Sequence, residues 1–152
     1  MKHLLLFLHL FGFVLWIGGG VSAMQFGSAM RRAARTELAL MVQLQARMFR
    51  AQILPGAVLV VITGLLLTLQ LYGSETATAG FPVALMVMQG AGLLGAALVL
   101  VVMLPTSARL GRLDPVGPQA PLFDQLRKRI ALAGSLAGVL ALVALLGGAL
   151  LR

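Results

Sequence analysis

The side chain best suited to chemistry in this sequence is the imidazole of His9, set in the run His9-Leu10-Phe11-Gly12-Phe13-Val14-Leu15-Trp16-Ile17-Gly18-Gly19-Gly20. Imidazole ligates metals and exchanges protons near neutral pH. An ionisable group inside so apolar a stretch marks a functional site by default. At about 100° per residue, His9, Gly12, Trp16, Gly19, Ala23 and Gly27 fall on one side of a helix. That side carries an imidazole, then small residues with one aromatic wall between them, a surface that admits another backbone or a flat cofactor. Met86 and Met88 lie four and six residues into a later apolar run that begins at Pro82. His9 lies about 7–8 Å past Leu4 at a rise of 1.5 Å per residue, so an imidazole and one thioether are expected at a similar level. Histidine with methionine is an axial pair for haem iron, and the same donors suit Cu(I). The candidate cofactor-binding set is therefore His9, Gly12, Trp16 and Gly19, and the candidate metal set is His9, Met86 and Met88. Two residues apart on a helix, Met86 and Met88 point to different sides, so at most one faces His9 squarely. The plainer readings are a histidine reaching for lipid headgroups and methionines filling a core.

The elements that must position these residues follow from composition. Of the 152 residues, 60% are apolar and 11% charged, and the mean hydropathy is +1.00, far from a soluble domain. The absence of cysteine removes disulfides, thiolate metal sites and cysteine nucleophiles together. Four apolar runs, about 4–29, 52–72, 82–104 and 130–151, each reach the ~20 residues that a bilayer core of ~30 Å requires. Backbone polar groups in lipid must be satisfied within the segment, so each run is a helix. The expectation is an all-α integral membrane protein, one domain over 1–152, built as a four-transmembrane-helix bundle. The net charge of +8 does not point to nucleic acid, because ten of the twelve basic residues fall in the two connections 31–50 and 109–129. The connection 73–81 has none. The positive-inside rule then places both termini outside and the two basic connections in the cytoplasm of a bacterial-type inner (plasma) membrane.

Lys2, the apolar run and Val21-Ser22-Ala23 also match a secretory leader. A retained helix is preferred, since cleavage would leave three spans and discard the most distinctive residues. Between the first two spans, Leu38, Met41, Leu44 and Met48 recur at helical spacing, which predicts a cytoplasmic helical extension. Pro55 opens the second span, where Thr63-Gly64 and Thr68 offer contacts to neighbours. The third span is expected to stop at Pro105, and the segment with Pro115, Pro118 and Pro121 to be loop. In the last span Gly134 and Gly138 form a GxxxG pattern, a candidate helix contact.

The run His9-x6-Trp16-x-Gly18-Gly19 in a first membrane helix resembles the copper-resistance protein D (CopD) domain superfamily. That group looks related to the HemJ-type membrane protoporphyrinogen oxidases, whose first span has a similar pattern. The likeness continues through Arg50-Ala51-Gln52-Ile53-Leu54-Pro55 and Thr63-Gly64, similar to a proline-opened second span, and covers about the first seventy residues. It implies a helix bundle with copper handling in some members and haem b in others, with His9 as the haem ligand. The chain departs from the HemJ type at Gln25, where those proteins carry an arginine. It has only Ala84 to Met88 where they place a lysine, and Leu126-Arg127-Lys128-Arg129 where they carry an acidic-and-basic motif. Porphyrinogen oxidation needs groups that accept protons, and the spans hold none besides His9, so an enzyme is not expected.

Three readings of function follow. One is a haem b protein with a redox or structural role, with His9 as ligand and Gly12 and Gly19 making room for the macrocycle. Another is a non-catalytic accessory subunit of a larger, respiratory-type membrane complex. The third is a copper-handling protein using His9, Met86 and Met88. The partners expected are the lipid bilayer and other membrane helices, as a homo-oligomer or in a larger complex, and no nucleic acid.

Overall fold

The structure, a computed structural model, describes residues 2–72 and 82–151. It contains four helices long and apolar enough to cross a membrane. The first, α1, is Lys2–Met30. The second, α2, runs unbroken from an α-helical stretch Arg35–Met48 through a π turn at Phe49–Ile53 into Leu54–Tyr72. The third, α3, likewise joins Val83–Ala97 to Leu104–Leu110 through a π turn at Leu98–Met103. The fourth, α4, is Ala120–Ala149. The basic-free connection 73–81, on which the orientation argument leans, lies outside the described residues.

The helices form a closed ring in which α1 packs on α2, α2 on α3, α3 on α4 and α4 back on α1. Paired neighbours are antiparallel: Gly12 faces Gly56 and Val60 while Gly19 faces Ile53, and Gly92 faces Ala144 while Gly147 faces Met88. Trp16, only 2% exposed, plugs the centre. Its six-membered ring lies where a Cβ on Gly95 of α3 would come within 2.9 Å, beside Leu140 of α4. Phe13 stacks on Trp16 at 6.4 Å between ring centroids. A second cluster, Met30, Leu38, Val42, Leu110, Phe123 and Leu126, closes the end that carries the basic connections. Large aliphatic side chains such as Leu4, Val14, Leu69, Val101 and Leu132 cover the outside, a surface suited to lipid contact.

Both π turns have the same cause. Pro55 and Pro105 lack an N–H, so in a regular helix the carbonyls of Ala51 and Val101 would lose their donors and meet the proline ring. The backbone widens instead: the Leu54 N–H donates to the Phe49 carbonyl and the Leu104 N–H to the Val99 carbonyl, each five residues back. The expected stop at Pro105 is therefore a bulge, and α3 continues to Leu110. The last helix starts ten residues before the apolar run at 130, with Pro121 accommodated in its first turn.

Two stripes differ from the sequence expectation. In the helix between the first two spans the buried positions are Leu38, Val42 and Ala46, and Leu44 faces outward. On α4 the inward stripe is Ala133, Ala137, Ala141, Ala144 and Gly147. A Cβ on Gly138 would meet nothing within 4 Å, and one on Gly134 would meet only the Met103 methyl. The close backbone approach to α3 falls at Gly147 instead, where a Cβ would lie 3.0 Å from the Met88 nitrogen.

Candidate functional site

The face singled out on α1 is the buried one: His9, Gly12, Trp16 and Gly19 all point into the bundle. His9 is 8% exposed, and its Nδ1 lies 3.0 Å from the Thr63 hydroxyl of α2. The Thr63 hydroxyl donates its hydrogen to the Leu59 carbonyl one turn back. Its oxygen is then the acceptor, so Nδ1 carries the ring proton and donates to it, which leaves Nε2 of a neutral imidazole with a free lone pair. The ring is further fixed by the edge of Phe13, at 5.2 Å and 87°. Gly64 closes the other side, where a Cβ would come within 2.9 Å of Cε1.

A second junction repeats the arrangement. Thr68 donates to the Gly64 carbonyl and accepts from the Gln89 side-chain amide of α3, at 2.8 Å. Thr63 and Thr68 thus each return a hydrogen to their own helix and offer an oxygen to a neighbour. The result is a polar seam from α1 through α2 to α3, with Gly64 touching both junctions. In lipid such contacts contribute about 0.6 kcal/mol each, so the seam sets orientation more than stability.

The remaining candidates are placed differently from one another. Opposite Gly12 stand the Gly56 carbonyl and Val60, opposite Gly19 stand Ile53 and Gln52, and Trp16 is enclosed. Among the described residues, α2 and α3 pack against this face of α1. Met86 is 52% exposed on the outer face of α3, and Met88 lies against Gly147 and Gly148 of α4. The described contacts of His9 are with Thr63 and Gly64 of α2 and with Phe13 of its own helix. Among the described residues no group of three His, Cys, Asp or Glu side chains converges.

Nε2 takes part in none of the described side-chain hydrogen bonds, and the Val60 backbone of α2 also bonds the imidazole. One imidazole is too few for a bare metal ion, which needs three or four protein donors. It suffices for haem iron, whose macrocycle supplies the equatorial nitrogens. The donor thus fits haem, and Gly12, Trp16 and Gly19 continue the same buried face toward α2 and α3. The Thr63 partner was legible only as a generic contact. Its signal was a hydroxyl residue beside glycine at the middle of a span.

No protein-family profile, curated protein or solved structure matches this chain.

Proposed function

We propose that the chain is a small multi-pass membrane protein of CopD-like type that binds haem b through Nε2 of His9, in a redox or structural role. The observation that carries this reading is the hydrogen bond from Nδ1 to Thr63. Metal-bound histidines almost always donate their other ring N–H to an acceptor that fixes tautomer and orientation, and His9 has that arrangement before any metal arrives. The bound group would supply one-electron chemistry. The chain's own part is to hold the imidazole neutral, aimed and largely shielded. The same reading places both termini outside in a bacterial-type inner membrane, with the basic ends of the helices in the cytoplasm.

The test is the absorption spectrum of protein purified with its membranes and then titrated with haem. The parent should show a Soret band, His9→Ala should lose it while remaining folded, and Thr63→Val should weaken haem affinity by about 10–100-fold through misorientation of the ring. A full Soret band in His9→Ala would place the ligand elsewhere and end this reading. So would a parent protein that takes up no haem.

A further inference from the structure

A cavity of about 390 Å³ opens between α2 and α3 at the end of the bundle that carries the basic connections. Its wall is formed by Arg47 and Arg50 of α2, by Leu104 and Ser107 of α3, and by Arg112 just past the end of α3. The two proline-induced π turns lie directly on its membrane side: Arg50 is inside the first and Leu104 follows the second.

The charge here is unmatched. Ten Lys and Arg residues face only three carboxylates at this end, Glu37, Asp114 and Asp124. Each carboxylate is engaged elsewhere. Asp124 holds Arg35 at 2.9 Å and Arg127 at 3.8 Å. Glu37 accepts from the Ala34 N–H, and Asp114 from the Val116 N–H. Arg47, Arg50 and Arg112 have no ion pair among the described residues. Three guanidinium groups around one opening suit a phosphate, whose oxygens take paired N–H donors. Ser107, 9% exposed as a residue, adds a neutral hydroxyl residue to the wall.

The surroundings choose the source of that phosphate. Arg50 lies only about 3 Å along the axis before Gln52, at 1.5 Å per residue, where the apolar run of α2 begins. On the membrane side of the cavity, Leu100 and Val101, four and three residues before the lining Leu104 of α3, and Val58, eight residues after Arg50 of α2, are exposed. A ligand seated here would have its charged end among arginines and its other end beside lipid-facing aliphatics. A soluble anion would use only the first half. The cavity is many times the ~30 Å³ of one water, so a headgroup fits with its hydration.

We propose that this cavity is a binding site for the phosphate headgroup of an anionic phospholipid, drawn from the leaflet on the side of the basic connections. Basic pockets between membrane helices take such headgroups, and each arginine near the surface strengthens binding by about five-fold. The site is independent of what His9 binds.

The experiment uses the full-length protein in nanodiscs of phosphatidylcholine, with or without a fifth part phosphatidylglycerol or cardiolipin. Lipid retained through delipidation is counted by native mass spectrometry. The parent should retain the anionic lipid over phosphatidylcholine. Arg47→Gln with Arg112→Gln should lower that retention by about 25-fold. Lys128→Gln with Arg129→Gln removes the same charge from α4 away from the cavity and should leave retention within two-fold. If the double variant fails to fold, Arg112→Gln alone, at an exposed position after α3, should lower retention about five-fold. Equal losses in the cavity and α4 variants would reduce the effect to diffuse charge and overturn the site. No preference for anionic lipid would also overturn it. Inorganic phosphate that displaces the lipid at equal concentration would assign the cavity to a soluble anion, against the proposal.

Discussion

Gly56→Ala is the sharpest test of how the His9 seam is built. A Cβ at position 56 would lie 2.7 Å from the Trp16 nitrogen, 2.8 Å from the Gly12 carbonyl oxygen and 3.0 Å from the Leu15 Cβ. All three atoms belong to α1 and two are backbone, so no rotamer change relieves the contact. Carbon makes its best contacts at about 3.5–4.0 Å, so α1 and α2 must part by roughly 0.7 Å. A gap of that size forfeits a quarter to a half of each dispersion contact along the pair. It also stretches the 3.0 Å His9–Thr63 bond beyond useful range. Overpacking of this kind costs about 1–3 kcal/mol. Alanine's advantage over glycine in a helix, at most about 1 kcal/mol, works in the opposite direction, and the clash should win. Gly138→Ala is the matched control, since its Cβ enters open space and only the helix preference remains. The two substitutions should therefore move stability in opposite directions. Equilibrium unfolding in mixed micelles, followed through the emission of Trp16, the single tryptophan, reads both. A Gly56→Ala protein stabilised as much as Gly138→Ala, with unchanged emission, would show that α1 and α2 do not touch at Gly12 and Gly56.

Three further outcomes are expected. Ala141→Leu, at a fully buried position, should destabilise by about 1–3 kcal/mol, while Gly138→Leu three residues away should be tolerated; equal effects would mean that the inward face of α4 is misassigned. Gln89→Leu removes the donor to Thr68 and should cost about 0.6 kcal/mol and no more than about 1.7, measured by the same unfolding assay; a larger loss would mean that the amide has partners beyond Thr68. A reporter active only in the cytoplasm, fused after Arg152, should stay silent, and a bright fusion would reverse the orientation and move His9 to the inner leaflet.

Much of this protein is local in origin. Four helices of spanning length follow from four long apolar runs, because length and hydropathy need no knowledge of neighbours. The inward face of α1 was also legible, because histidine, tryptophan and small residues recur there at helical spacing against bulky aliphatics. The helix between the first two spans could be read as a helix, although its buried stripe is Leu38, Val42 and Ala46. What meets these faces could not be read. In lipid both the interior and the exterior of a bundle are apolar, so a spanning helix has no polar side to give its rotation away. Gly134 and Gly138 were therefore the contact of α4 that spacing suggested, whereas packing turns Ala133, Ala137, Ala141 and Ala144 inward. Small residues beside His9 are equally suited to a flat ring or to another backbone, and the fold brought Gly56 and Gly64 there. Pro105 reads as a stop in one dimension, yet the helix passes through it because a π turn restores the backbone hydrogen bond. The arginine cavity depends on Arg47 and Arg112, 65 positions apart in the sequence, and only the fold brings them to one opening.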